Sequence, residues 1–160
     1  MMKIRAPRSL GYVALFALLT WTSTVIVAAH ADARAPTASG HAYAEPYRAV
    51  RRDGVLHLEV RFKTDYPGYS GELIYEGIPL DRIDGRIYAE FGDQSFSLLR
   101  EEGVVQAPDR LHLGFNYDPE RNPRVGTWKA DFVAPMHDIN EVTLFMPNVA
   151  PIGPFVIRDH

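Results

Sequence analysis

The sequence predicts an all-β domain, an antiparallel β-sandwich or small barrel of about seven to eight short strands. One observation is the segment Val55–Lys63 (VLHLEVRFK), in which apolar and polar residues alternate. This two-residue period is typical of a strand with one face on a core and the other in water. A second observation is that turn-forming residues recur at intervals of about ten residues, whereas no stretch carries a sustained helical period.

The first 31 residues differ in composition from the rest. Lys3, Arg5 and Arg8 give a basic start, an uncharged apolar run covers Tyr12–Ala29, and Ala29-His30-Ala31 is a small-x-small exit. These are the three parts of a secretory signal peptide, so residues 1–31 are predicted to be cleaved and the protein to be periplasmic or secreted. The alternative is an uncleaved membrane anchor, because the run approaches the roughly 17 residues that span a bilayer.

Charge and cysteine content narrow the classes of partner. All 20 acidic residues follow Ala31, whereas three of the 17 basic residues precede it. The exported part is therefore acidic, which argues against nucleic acid and anionic lipid as partners. The chain has no cysteine, which excludes disulfides, thiolate metal sites and a cysteine nucleophile. A bacterial envelope protein stabilised by its apolar core alone fits these features.

The composition and the alternation of apolar and polar residues divide the rest of the chain into a tether and a domain. Residues 32–46 are rich in Ala, with Pro, Gly, Ser and Thr, and they are predicted to form a flexible tether before a domain of residues 47–160. Asp84-Gly85 predicts a hairpin turn, and Gly92-Asp93 a second turn. Further strands are predicted at 72–78, 79–83, 86–91, 95–100, 111–117, 128–132, 142–146 and 155–157. The alternating pattern predicts a core that contains Leu58, Val60, Phe62, Leu113, Phe115, Trp128, Phe132, Val142 and Leu144.

The last 35 or so residues carry a family resemblance. Phe132-Val133-Ala134-Pro135, Val142-Thr143-Leu144 and the Pro-rich stretch Pro151–Ile157 follow one another here. This order resembles the closing strands of bacterial exported domains with an immunoglobulin-like, telokin-like sandwich. The resemblance implies an immunoglobulin-like fold outside the cytoplasm, and it implies no catalytic residue.

Two histidines are the candidate metal ligands. His57 and His112 both occur in Leu-His-Leu, on the face of a strand that is expected to meet solvent. If the two strands are neighbours, the imidazoles could share Zn²⁺ or Cu²⁺, with Glu59 as a third ligand. Two unrelated surface histidines are the simpler explanation, because no HxH or HExxH spacing supports a metal site.

Binding by loops is the leading expectation. Tyr66 and Tyr69 flank Pro-Gly in a turn, where they could form an aromatic platform for a protein or a sugar, or fold back onto the core. The apolar loop 146–155 is either a contact surface or a packed lid. No nucleophile elbow, phosphate loop or paired catalytic carboxylates occur. The sequence therefore predicts a non-catalytic module without a cofactor that binds another envelope or extracellular protein, with carbohydrate or small-ligand binding and metal binding as alternatives.

Overall fold

The computed structural model describes residues 34–160 of the chain. This part contains thirteen β-strands and one 3₁₀ helix. The elements run as follows: β1 Ala35–Pro36, β2 Tyr43–Arg52, β3 Val55–Lys63, β4 Glu72–Glu76, the 3₁₀ helix Ile83–Gly85, β5 Tyr88–Phe91, β6 Gln94–Ser97, β7 Arg100–Glu101, β8 Val104–Val105, β9 Arg110–Leu113, β10 Arg124–Val133, β11 Glu141–Phe145, β12 Ile152–Val156 and β13 Arg158–Asp159. The predicted all-β class is confirmed. The predicted signal peptide, residues 1–31, lies outside the described residues.

The larger sheet has the order β1-β2-β3-β10. β13 also pairs with β2, at the opposite end of that strand from β1. All of these pairs are antiparallel except β13 with β2, which is parallel. A two-residue turn at Asp53-Gly54 joins β2 to β3, and both residues have positive φ angles, 51° and 78°. This is the left-handed geometry that suits the twist of a two-residue hairpin.

The second sheet has the order β12-β11-β5-β6. The predicted turn at Gly92-Asp93 is confirmed, because it joins β5 to β6 with Phe91 opposite Gln94. Two further pairs, β4 with β9 and β7 with β8, complete the fold. The strands differ in number from the prediction partly because four of the thirteen are only two residues long, too short to show a period. In addition, the ten-residue strand β2 was not predicted, and the strand predicted at 79–83 is wrong, because the chain turns there into the 3₁₀ helix.

The core lies on the inner face of the alternating strands. In the larger sheet Val60 pairs with Trp128 and Leu58 with Ala130, and these side chains are buried. Leu113, Phe132, Val142 and Leu144 are buried as predicted, and so is Phe62. Among the predicted core residues, the prediction is wrong only for Phe115, whose side chain is exposed. The arrangement is consistent with a β-sandwich.

The segment predicted as a tether is ordered from Ala35 onward. β1 pairs with the start of β2, with Ala35 opposite Ala44, and Ala42 and Ala44 are buried. The composition predicted a flexible tether because the segment has no large aliphatic side chain. Small alanines nevertheless pack against the core, and the backbone ladder supplies the hydrogen bonds.

The hairpin predicted at Asp84-Gly85 is also wrong. These residues belong to a 3₁₀ helix, in which the amide of Arg86 donates to the carbonyl of Ile83 at 2.9 Å. The amide of Ile87, just beyond the helix, donates to the same carbonyl at 2.8 Å. Ile83 and Ile87 are both buried, so this turn is fixed by two core side chains. The carboxylate of Asp84 forms an ion pair with Arg100 at 2.8 Å.

Candidate functional site

His57 lies on the outer face of the larger sheet, directly opposite Asp131 on β10. Its Nδ1 is 2.6 Å from Oδ1 of Asp131. Glu59, two residues along β3, faces Lys129 at 3.4 Å. Each of these polar side chains therefore has an oppositely charged or hydrogen-bonding neighbour from the adjacent strand, as is usual for cross-strand pairs on a solvated face.

His112 lies elsewhere in the fold. It is on β9, where it pairs with Leu73 of β4, whereas the neighbours of β3 are β2 and β10. The condition for a shared metal ion, that the strands of His57 and His112 be neighbours, is therefore not met. Across residues 34–160, no three His, Cys, Asp or Glu side chains are grouped so that they could hold a metal ion.

Tyr69 is a buried anchor and not a platform. Only 3% of its surface is exposed, and its hydroxyl donates to Oε1 of Glu72 at 2.9 Å. The same oxygen accepts a hydrogen bond from the hydroxyl of the buried Thr37 at 2.6 Å. Burial raises the pKa of Tyr69, and the hydrogen bond to Glu72 raises it further. These contacts connect the β1–β2 segment to β4.

Tyr66, the other tyrosine of the predicted pair, is exposed. Its ring stacks on the imidazole of His41, with centroids 4.0 Å apart and planes inclined by 13°. Because Tyr69 points into the core, the two tyrosines do not form one surface. Tyr66 alone of the pair remains accessible.

The most exposed aromatic pair is one that the sequence did not single out. Phe115 and Tyr117 follow β9, and 66% and 78% of their surfaces are exposed. Their rings stack, with centroids 6.3 Å apart and planes inclined by 28°. Large apolar side chains that are exposed side by side indicate an interaction site, whereas single exposed apolar residues are common on any protein surface.

The base of the loop that carries this pair is well defined. The amide of Gly114 donates to Val125 on one side, and the amide of Asn116 donates to Tyr69 on the other, both at 2.7 Å. The side chain of Asn116 bonds to the carbonyl of Asn122 at 2.7 Å. The chain thus changes partner between Gly114 and Asn116, which ends the alternation of β9 and turns Phe115 outward.

The segment 146–155, predicted to be a loop, comprises the loop after β11 and most of β12, and it packs against the core. Met146, Ile152 and Phe155 are buried. The side chain of Asn148 donates to the carbonyl of Ile74 at 2.7 Å, and the amide of Ala38 donates to the carbonyl of Asn148 at the same distance. Of the two interpretations of residues 146–155, the packed lid is the one that this geometry matches.

Searches of protein-family models, curated proteins and solved structures give no match to this chain. None of the residues from 34 to 160 belongs to a helix with the length and hydrophobicity of a membrane span.

Proposed function

We propose that the chain is an exported, non-catalytic module of the bacterial envelope that binds another protein through a surface centred on Phe115 and Tyr117. The observation that carries the proposal is the exposed, stacked pair of rings on a loop that is hydrogen-bonded at its base. Aromatic side chains give a large contact area for little loss of rotamer entropy, and they are enriched at the centres of protein interfaces.

The surroundings of the pair fit a protein partner. Glu120, Arg121 and Arg124 are exposed on the same loop or at its end, Asp118 is half-buried there, and together they carry both signs of charge. An apolar centre with a polar rim is the usual anatomy of a protein interface. The rings are inclined to one another and so offer a stepped surface, which suits an irregular protein surface better than the flat face of a sugar ring.

The adjacent loop can extend this surface. The antiparallel bridge between Tyr69 and Asn116 places the loop of Tyr66 beside that of Phe115. A second hydrogen bond, from the amide of Thr64 to the carbonyl of Pro123 at 2.9 Å, joins the same two loops. The exposed Tyr66 therefore belongs to a neighbouring loop of fixed position. The proposed location outside the cytoplasm rests on the signal-like N-terminus.

Site-specific cross-linking would test this proposal. A photoreactive benzoylphenylalanine is placed at Phe115 or, as a matched control, at Phe91, an exposed phenylalanine on β5. The protein is expressed in its own host and irradiated. We expect a discrete adduct with one envelope protein from Phe115, identified by mass spectrometry, and none from Phe91.

The identified partner is then purified and titrated. The double variant Phe115→Ser/Tyr117→Ser should weaken binding at least about tenfold, the effect of losing one interface hot spot. The control Phe91→Ser/Tyr47→Ser should bind as the wild type does. Equal adducts from both positions, or unchanged affinity of the first variant, would contradict the proposal, and so would glycan-array binding that depends on Phe115.

A further inference from the structure

A second concave site lies on another part of the surface, between the segments 75–83 and 103–109. It encloses about 460 Å³, within the roughly 300–1,000 Å³ of small-molecule sites. Most of its lining is aliphatic: Ile78, Leu80, Ile83, Val104, Val105 and Ala107. An apolar cavity with few polar groups is the usual form of a small-molecule site.

Hydrogen bonds hold the two walls of this cavity in place. At one end, the amide of Gly77 donates to the carbonyl of Asp109 at 3.0 Å. At the other, Arg100 donates to the carbonyl of Leu80 at 3.2 Å and pairs with Asp84. The hydroxyl of Tyr75 also donates to the carbonyl of Pro108 at 2.9 Å. The cavity is thus framed by contacts between its walls and does not require a ligand to form them.

The rim of the cavity exposes apolar side chains on both walls. Leu80 lies on one wall and Val104 on the other, and they are 60% and 62% exposed. A ligand in the cavity would remove apolar surface of both residues from water, which is the main favourable contribution to binding of an apolar molecule.

One charged residue lines this apolar cavity. Asp109 is the charged residue of the lining, and within the described part of the chain its carboxylate makes no hydrogen bond or ion pair. The neighbouring cation, Arg110, is instead paired with Glu76 at 3.6 Å. The lining of the cavity therefore carries a net negative charge, which favours a ligand with a positive group next to its apolar part.

From this combination we propose that the cavity binds a small apolar molecule that carries a protonated amine. The aliphatic walls receive the hydrocarbon part, and the carboxylate of Asp109 pairs with the ammonium group. This site is separate from the Phe115–Tyr117 surface, and it stands or falls independently of the protein-binding proposal.

Three probes of similar size and different charge test the proposal: 2-phenylethylamine, 2-phenylethanol and 3-phenylpropionate. Each is titrated into the full chain while amide shifts are followed by two-dimensional NMR. We expect the amine to bind with a Kd of about 1 mM or tighter, with shifts in residues 75–83 and 103–109. The alcohol should bind about fivefold more weakly, the value of one solvent-exposed ion pair, and the carboxylate more weakly still.

Two substitutions of exposed residues separate charge from apolar contact. Asp109→Asn should reduce the affinity for the amine to that for the alcohol, whereas Val104→Ser should weaken both probes. Val156→Ser, an equally exposed valine on β12, is the matched control and should change neither. The proposal is overturned if no probe binds at millimolar concentration, if the shifts fall outside the cavity, or if the carboxylate binds as tightly as the amine.

Discussion

The guanidinium of Arg51 and the carboxylate of Asp159 form a two-point ion pair, with Nε 2.6 Å from Oδ1 and Nη2 3.1 Å from Oδ2. Arg51 is only 4% exposed, and its Nη1 also donates to the carbonyls of Pro135, Met136 and Ile139. One side chain thus joins β2, the loop 135–139 and the C-terminal strand β13. This satisfies a buried charge that would otherwise be costly.

Replacing this arginine should destabilise the fold strongly. Arg51→Met removes the ion pair and leaves several carbonyls without a donor, so the free energy of unfolding should fall by about 3 kcal/mol. The neighbouring Arg52→Met is the control, because among residues 34–160 the only ion pair of Arg52 is with the exposed Asp53, and its effect should stay within about 0.5 kcal/mol. Urea denaturation measures both. Equal effects would show that the Arg51 contacts contribute little.

The same pair predicts a dependence on acid pH. The hydrogen bonds from Arg51 lower the pKa of Asp159. A carboxyl group with a lowered pKa in the folded state stabilises the fold above its unfolded pKa of about 4. That contribution is lost as the pH falls below this value through the folded pKa.

Urea midpoints measured from neutral pH down to acid pH test this expectation. Asp159→Asn should be less stable than the wild type at neutral pH, and the difference should shrink as the medium becomes acid. Asp93→Asn, in the exposed turn between β5 and β6, should follow the wild-type curve throughout. A difference between Asp159→Asn and the wild type that stays constant with pH would refute the assignment.

Tyr75 links the buried indole of Trp128 to the backbone of Pro108. Its hydroxyl accepts a hydrogen bond from the indole Nε1 of Trp128 at 2.6 Å and donates to the carbonyl of Pro108. Tyr75→Phe leaves the indole N–H buried without an acceptor, which should cost about 1–3 kcal/mol. Tyr117→Phe, at an exposed hydroxyl, should cost nothing measurable. Thermal unfolding followed by tryptophan fluorescence compares the two variants.

Alkaline titration should separate the buried tyrosines from the exposed ones. Burial raises the pKa of Tyr75 to about 12, and it also raises that of Tyr69. Because the folded state holds these protons more tightly, its stability is retained up to about pH 10 and falls as the pH rises further through the folded values. Phenolate absorbance should therefore appear in two phases, and Tyr75→Phe should reduce the second. A single phase near pH 10 in folded protein would contradict this prediction.

Gly71 occupies a position that no other residue can fill without strain. Its φ angle is 85°, and a Cβ there would lie 2.6 Å from the carbonyl oxygen of Leu113. Gly68 in the same loop also has a positive φ angle, 64°, but a Cβ there would meet open space. Gly68→Ala should therefore cost about 1–2 kcal/mol for the backbone conformation alone. Gly71→Ala should cost clearly more, and equal losses in chemical denaturation would contradict the close approach.

Local patterns were sufficient for several strands, such as β3 and β10, and for most of the core, but they missed β2 and predicted a strand at 79–83 where none forms. The period of two over Val55–Lys63 placed Leu58, Val60 and Phe62 in the interior, because successive side chains of a strand point to opposite faces. The same reasoning failed at Phe115. The backbone changes hydrogen-bonding partner after Gly114, and a sequence does not show where a strand leaves its ladder.

The candidate sites depended on which strands become neighbours. His57 and His112 have the same local sequence, but β3 and β9 pair with different strands. Tyr66 and Tyr69 share one turn, yet one ring meets His41 and the other points to Glu72. The place of each side chain was decided by which segments pack together in the fold, so composition and spacing did not distinguish an anchor from a binding residue.

The sequence by itself determined the all-β class and most of the residues that face inward, because alternation of apolar side chains is a local property of each strand. Only the tertiary structure decided the strand order, the buried Arg51–Asp159 pair and the exposed Phe115–Tyr117 pair. The strand order and the Arg51–Asp159 pair join residues far apart in the chain, and the outward turn at Phe115 depends on backbone bonds to Val125 and Tyr69. These contacts form only when the chain packs and fixes which backbone groups lie side by side.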